Sequence, residues 1–143
     1  MATGFELGRD GPTTLVVGVD GSDSATRALY YALGLARRQH CSIIAVYAIT
    51  TAGAETGVAP YLASLEAAEE LKPKIQALGA DFHVKTQFLS VAGDPVTVLI
   101  KIAAAHHADG IVLGASHGIG HRLFGSTAVR TVRRCRCPVT VVP

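Results

Sequence analysis

The feature that most constrains the fold is an unbroken run of apolar residues that follows Ser42 and ends at Ile49. A strand with one solvated face alternates apolar and polar residues, whereas continuous hydrophobicity indicates burial on both faces and is typical of a parallel sheet. Further strands are predicted at 13–20, 111–113 and 139–142, and a more clearly alternating run at 82–89 predicts an edge strand. Helical patterns separate these runs, so the predicted order is β-α-β-α-β-α-β-α-β.

Start signals for two of the helices support this order. Ser22 or Asp23 can cap the first helix, and Asp94 followed by Pro95 is a cap with proline at the first helical position. Strand–helix–strand connections in a parallel sheet are nearly always right-handed, so helices cover both faces. The predicted fold is a Rossmann-like, doubly wound α/β domain whose five parallel strands lie in the order 3-2-1-4-5.

The second and fourth helices carry less regular signals. The second is predicted from about Tyr61 to Leu78, with Pro73 kinking or splitting it and Gly79 ending it. The fourth is predicted to begin with Ser126 as its cap and to turn four residues inward: Ala128, Val129, Val132 and Cys135.

Composition bounds the class of protein. The 143 residues fit one domain, expected over 13–143, with 1–12 as a flexible arm that lacks the pattern of a signal peptide. Hydrophobic residues make up 49% and charged residues 17%, which excludes a disordered chain. The net charge of +2 does not indicate nucleic-acid binding, and charges interrupt every apolar run too early for a membrane span. We therefore expect neither nucleic acid nor membrane as a partner.

Charge and cysteine usage are both uneven along the chain. Five of the nine arginines lie after residue 120, where there is no acidic residue, which favours a local anion as ligand. The odd count of cysteines (Cys41, Cys135 and Cys137) and the Cys-Arg-Cys spacing suit neither a zinc site nor a CxxC redox motif. We expect buried, reduced thiols in a cytoplasmic protein.

Two segments are predicted to face the ligand-binding crevice of the sheet. Such sheets bind ligands beyond the carboxyl ends of the strands where the strand order reverses, here between the first and fourth strands. Asp20, Gly21 and Ser22 follow the first strand, and the segment 114–120 follows the fourth. Glycines let a backbone approach a ligand closely. The candidate residues of the second segment are Gly114, Ser116, His117, Gly118 and Gly120.

The second segment leads into Gly125, Ser126 and Thr127, which open the last predicted helix. A helix amino terminus offers unpaired N–H groups and the positive end of a dipole, Ser126 and Thr127 add hydroxyl donors, and Arg122 adds a positive charge. The combination predicts a phosphate-binding site. The alternative is that Gly125 and Ser126 only cap the helix and the glycines only turn the chain.

Asp20 has two interpretations as well. Its carboxylate, placed at the crevice, can accept hydrogen bonds from ribose hydroxyls or an adenine amino group. Alternatively it stabilises its own turn by accepting hydrogen bonds from the main-chain amides of Gly21 and Ser22.

Several other motifs are absent or incomplete. No lysine follows a glycine, so there is no GxxxxGK[ST] loop, and Leu123 stands where GxGxxG needs its third glycine. A literal GxSxG is centred on Ser116, but no acidic residue follows it to complete a catalytic triad with His117 or His121. No acid or cysteine is placed with those histidines, so no metal site is predicted.

Six short segments, in this order and spacing, resemble the universal stress protein family over Thr13–Pro143: VGVDGS at 17–22, AVYAI at 45–49, GDP at 93–95, ADGIVLG at 108–114, GSTAV at 125–129 and CPVTVV at 137–142. The resemblance implies a dimeric cytoplasmic protein of the stress response, joined through its last strand at 139–142. In the ATP-binding branch, a carboxylate after the first strand and backbone groups at the end of the second hold adenosine. By match these are Asp20 and the backbone around Ala48.

The glycine loop departs from that branch, which carries G-x2-G-x9-G-[S/T] after its fourth strand. Here three residues separate Gly114 from Gly118 and six separate Gly118 from Gly125, so the loop is two residues shorter. The leading hypothesis is a module that binds ATP or a related adenine nucleotide, with Mg²⁺ accompanying the phosphates, and passes that state to a protein partner. The alternative is a dimeric interaction protein with no nucleotide. An enzyme is not expected beyond slow ATP hydrolysis.

Overall fold

The computed structural model describes residues 13–51, 57–115 and 126–143. Within these residues the chain forms five strands: β1 (Thr14–Gly18), β2 (Ser42–Ile49), β3 (Thr86–Ala92), β4 (Gly110–Gly114) and β5 (Val139–Val142). Four helices alternate with them: α1 (Asp23–Gln39), α2 (Ala59–Asp81), α3 (Pro95–Ala105) and α4 (Ser126–Arg134). The predicted alternation of strands and helices is confirmed.

The strands form one parallel sheet in the order β3-β2-β1-β4-β5, as the sequence predicted. At its centre Val16 pairs with Ile44 of β2 and with Ile111 of β4. Val16 and Ile111 are fully buried, and so is Val17, whose side chain points to the opposite face. Burial on both faces explains the continuous apolar strands that first indicated this fold.

Helices cover both faces of the sheet. Val17 belongs to a core that α1 and α2 complete, together with Leu33 of α1 and Ile75 of α2. Val16 belongs to a second core, which Leu99 of α3 helps to form. The two cores fix the helix amino ends relative to the carboxyl edge of the sheet, where the functional site was predicted.

Two helix starts are as predicted. The Ser22 hydroxyl oxygen accepts a hydrogen bond from the Ala25 N–H at 3.2 Å, so Ser22, rather than Asp23, caps α1. Asp94 caps α3 by accepting from the Thr97 N–H at 3.1 Å, and Pro95 occupies the first turn. Each side chain satisfies an N–H group that the helix itself leaves without a partner.

The predicted limits of the second helix and third strand were wrong. Helix α2 starts two residues earlier, continues through Pro73 and passes Gly79. A Cβ on Gly79 would overlap the Thr86 side chain, so this glycine allows the helix to approach β3 closely. Residues 82–84 complete the helix end, since the His83 N–H donates to the Ala80 carbonyl at 3.0 Å and the Val84 N–H to the Gly79 carbonyl at 2.9 Å. Strand β3 therefore begins at Thr86, four residues later than predicted.

The predicted inward face of the last helix was partly wrong. Ala128 is buried as expected, but Val129 and Val132 are 37% and 54% exposed. Thr131 is fully buried in their place. Its hydroxyl donates to the Thr127 carbonyl at 2.7 Å, which satisfies the polar group inside the protein. Ser126 is the first residue of α4 rather than its cap.

The cysteines also differ from expectation. Cys41 is buried, as predicted, whereas Cys135 and Cys137 are only partly buried in the turn between α4 and β5. None of the helices found in the described ranges is long and apolar enough to cross a membrane.

Candidate functional site

A cavity of about 170 Å³ lies at the carboxyl ends of β1 and β4, at the predicted position. Five of the predicted site residues line it: Asp20, Ser22, Ala48, Gly114 and Thr127. The volume is below the roughly 300–1,000 Å³ typical of small-molecule sites. Residues 116–125, which the sequence assigns to the same edge, lie outside the described residues.

The floor of the cavity is apolar and its rim is polar. Val46 of β2, Leu99 of α3 and Leu113 of β4 form the floor. Ser24 and Thr127 contribute hydroxyl groups at the rim. Such a lining suits a ligand with one apolar part and one polar part. The sequence did not identify the floor, because these residues were interpreted only as core; their positions near strand ends or the start of a helix were the available signal.

Three helices begin at this cavity. The first turn of α1 contributes Ser24 and Ala25, the start of α3 contributes Pro95, and the first turn of α4 contributes Thr127 and Ala128. Each amino end carries the positive end of a helix dipole and N–H groups without helical partners. Helix amino ends of this kind favour an anionic ligand, and the carboxylates of Asp20 and Asp94 lie beside two of them.

Asp20 lies at the rim and holds its own turn. Its Oδ1 accepts a hydrogen bond from the Ser22 N–H at 2.8 Å, which confirms the turn-stabilising interpretation for that amide. An ionised carboxylate offers roughly four acceptor positions, so this bond leaves capacity for a ligand. The exposed side chain lines the cavity and can therefore serve both purposes.

The glycines of the predicted site have structural roles of their own. Gly21 has φ +81°, which a glycine adopts without strain, and it lines a different cavity, of about 230 Å³, between α1 and α2. A Cβ on Gly114 would overlap the main chain at Ser24 and lie 2.7 Å from the Ala25 nitrogen. Gly114 thus lets the end of β4 pack directly against the amino end of α1, a role that the sequence did not reveal.

An ion pair beside the cavity was also missed. The two guanidinium NH groups of Arg130 donate to the two carboxylate oxygens of Asp94, each at 3.2 Å. The main-chain N–H of Thr97, and then Arg130, hold the pKa of Asp94 below its ordinary value. The pair joins the amino end of α3 to α4, which both line the cavity. Because the partners are 36 residues apart, only the tertiary structure reveals it.

The remaining predicted site residues cannot be compared with the structure. Six of them lie outside the described residues: Ser116, His117, Gly118, Gly120, Arg122 and Gly125. Ser126 is exposed at the start of α4, one residue before Thr127. The described part of the chain contains no group of three or more histidine, cysteine or acidic residues that could hold a metal ion.

Comparison with known proteins gives the family. The model of the universal stress protein family matches residues 12–143. The chain belongs to this family. A universal stress protein of Methanocaldococcus jannaschii is 28% identical over 137 residues, covering 90% of this chain and 80% of that protein. A universal stress protein of Mycobacterium tuberculosis is 32% identical over 142 residues, covering 92% of this chain but only 48% of that protein, so the chain spans about half its length.

Solved structures of the family share the fold. A universal stress protein in complex with cAMP has a TM-score of 0.74 at 24% identity, with 92% of this chain and 97% of that chain covered. A universal stress protein of Archaeoglobus fulgidus in complex with dAMP has a TM-score of 0.72 at 22% identity, with 92% and 98% covered. At these identities the likeness concerns the fold.

Proposed function

We propose that the cavity binds an adenine nucleotide such as ATP and that the bound state is passed to a protein partner. The observation that carries the proposal is the convergence of three helix amino ends on an apolar floor at the carboxyl edge of the sheet. Relatives with the same fold have been solved with cAMP and with dAMP, which share adenine, a ribose-type sugar and one phosphate.

Different parts of the nucleotide would contact the floor and the rim of the cavity. Adenine is flat and largely apolar on its faces, so it would pack over Val46 and Leu99, near the main chain at Ala48. The Asp20 carboxylate would accept a hydrogen bond from a ribose hydroxyl, and the amino end of α4 with Thr127 would face the phosphates. Any Mg²⁺ would accompany the phosphates, since Mg²⁺ is commonly held by one or two carboxylates, waters and substrate oxygens.

We also propose a twofold dimer joined through β5. This strand is at the edge of the sheet, and its outer side has no neighbouring strand among the described residues. Val129 and Val132 are exposed on α4, which packs beside β5. Uncovered apolar side chains next to an open strand edge indicate a surface suited to a second copy. A cytoplasmic location stays a prediction.

The second candidate is a dimeric interaction protein that binds no nucleotide. It is favoured by the glycine loop, two residues shorter than in the ATP-binding branch. Each lost hydrogen bond to a charged phosphate would weaken binding by about 1.5–3 kcal/mol. Two such losses total about 3–6 kcal/mol. Micromolar and millimolar affinity differ by roughly 4 kcal/mol, so the shorter loop could remove most or all of the binding. Slow ATP hydrolysis is a further outcome that the nucleotide hypothesis allows.

Calorimetric titration with ATP, AMP and cAMP separates these candidates. We expect micromolar binding that Asp20→Asn weakens roughly 10-fold or more, because the substitution removes the charge presented to the ribose. The asparagine oxygen can still accept from the Ser22 N–H, so the unfolding midpoint should change little. Asp23→Asn is the matched control, since Asp23 is an exposed neighbour that does not line the cavity.

Two outcomes of the same titrations would count against the proposal. Flat titrations with all three nucleotides would favour the dimer without ligand. Removing a negative charge near an anionic ligand should by itself strengthen binding, so Asp23→Asn should leave the affinity unchanged or raise it slightly. Equal weakening by Asp20→Asn and Asp23→Asn would show that the loss does not come from a contact specific to Asp20.

A further inference from the structure

The turn between α4 and β5 brings two cysteine thiols into direct contact. The Sγ atoms of Cys135 and Cys137 are 3.0 Å apart, and the Cys137 N–H donates to the Cys135 sulfur at 3.5 Å. A disulfide bond is about 2.05 Å long, so a shift of roughly 1 Å would join the two sulfurs. Cys135 follows the last turn of α4 and donates its N–H to the Thr131 carbonyl, which fixes the start of the turn.

The pair differs from the third cysteine in access. Cys135 and Cys137 are partly exposed, whereas Cys41 is 6% exposed. Cys41 packs in the core formed with α1 and α2, while the pair packs against the other core. A reagent in solution can therefore reach the pair, and Cys41 is the natural control for it.

Three exposed arginines adjoin the pair in the sequence, and the acidic Asp109 acts on Cys137. Arg133 and Arg134 in the last turn of α4 and Arg136 between the two cysteines are all exposed. The sequence has no acidic residue after Asp109. Positive charge of this kind raises the local concentration of anionic reactants and assists attack by a thiolate.

The two thiols are not equivalent. Partial burial first, and then the hydrogen bond and charge of Cys135, raise the pKa of the Cys137 thiol to about 12, with a smaller contribution from Asp109. The Cys137 N–H also faces the Cys135 sulfur, and on this geometry we assign the first attack to Cys135.

We propose that Cys135 and Cys137 are a reversible redox pair that is oxidised by anionic low-molecular-weight disulfides. The Cys135 thiolate attacks a disulfide RS–SR, forming the Cys135–S–SR bond and expelling RS⁻, which takes up the proton that Cys135 lost. The Cys137 thiol then loses its proton and attacks Cys135, forming the Cys135–Cys137 bond and expelling the second RS⁻ with that proton. Two electrons pass from the two cysteines to RS–SR, and two RSH molecules leave.

The Cys135–Cys137 disulfide should be easily reduced. The bond closes a loop of only three residues, so it gains little from restricting the unfolded chain. Exposed or strained disulfides have more oxidising potentials and are the labile ones. An excess of small thiol should therefore regenerate both cysteines.

The test treats the reduced full-length chain with oxidised glutathione, which is anionic, with neutral hydroxyethyl disulfide and with cationic cystamine. Intact mass and non-reducing peptide maps are followed in time. We expect the loss of two hydrogens and a Cys135–Cys137 link. When each rate is divided by that of a small model dithiol, the link should form about 10-fold or more faster with oxidised glutathione than with cystamine. Added salt should reduce that difference.

Variants assign the steps. Cys137→Ser should stop at a mixed disulfide on Cys135, and Cys41→Ser should react as the unsubstituted chain does. A link that involves Cys41, intermolecular links only, or faster reaction with cystamine would overturn the proposal. The kinetics of the unsubstituted chain provide this test even if a variant fails to fold.

Discussion

Gly114→Ala should destabilise the protein, although replacing a glycine inside a helix by alanine usually stabilises a protein. An ideal Cβ at Gly114 would lie 2.7 Å from the Ala25 nitrogen and closer still to the main chain of Ser24, whereas ordinary contacts begin at 3.4 Å. These are backbone atoms at the first turn of α1, so no side chain can rotate away. The end of β4 and the start of α1 must separate by about 0.7 Å or more.

The matched control is Gly34→Ala in the middle of α1, where a Cβ would meet nothing within 4 Å. Overpacking of a rigid contact costs about 1–3 kcal/mol, so Gly114→Ala should lower the free energy of unfolding by that amount. Alanine in place of glycine in a helix gains about 0.5–1 kcal/mol, so Gly34→Ala should raise it. The two variants should differ by about 1.5–4 kcal/mol.

Urea denaturation followed by circular dichroism measures both variants, and thermal melts give a second readout. At roughly 3 °C per kcal/mol for a chain of this size, the two melting temperatures should differ by about 5–12 °C. Equal stability of the two variants, or a Gly114→Ala protein as stable as the unsubstituted chain, would refute the close packing inferred for Gly114.

Three further predictions concern the surface. Val132→Asp should leave the chain folded but reduce dimerisation about 10-fold or more in light scattering, because it places a charge in the proposed apolar interface; an unchanged dimer would remove α4 from that interface. The pKa of Asp94 is lower in the folded protein than the value of about 3.9 expected in the unfolded chain. The ionised carboxylate therefore stabilises the fold above pH ~3.9, and this stabilisation is lost as the pH falls through the pKa of the folded state. The stability gap between the unsubstituted chain and Asp94→Asn should therefore narrow from pH ~6 to pH ~3, and a constant gap would contradict this. His40 ends α1 with φ 57°, so His40→Gly should stabilise the fold by about 1 kcal/mol in urea denaturation, and a loss of stability would show that the imidazole makes a contact worth more than the backbone strain.

The sheet could be predicted from the sequence because its signal is local. Continuous apolar runs such as Ser42–Ile49 indicate burial on both faces, and the intervening helices then require right-handed crossovers, for which 3-2-1-4-5 is a common strand order. The caps at Ser22 and Asp94 were equally visible, since each side chain serves an amide three residues away. The crevice position followed from the strand order alone.

What the sequence missed depends on which face of an element packs inward and on contacts between distant segments. Thr131 was not among the residues predicted to face inward, and its burial is possible because its hydroxyl donates to the Thr127 carbonyl one turn earlier in the same helix. Val129 and Val132 are apolar yet exposed, which a pattern analysis of one chain cannot foresee. Gly114 was interpreted as part of a ligand loop, but its packing against α1 appears only once both elements are placed.

A crystal structure of the chain grown with ATP would show directly whether the cavity at the carboxyl ends of β1 and β4 holds the nucleotide. We expect adenine packed over Val46 and Leu99, a ribose hydroxyl bonded to Asp20, and the phosphates at the amino end of α4 beside Thr127. A cavity filled by the protein's own side chains at saturating ATP, or a nucleotide bound elsewhere on the molecule, would contradict it.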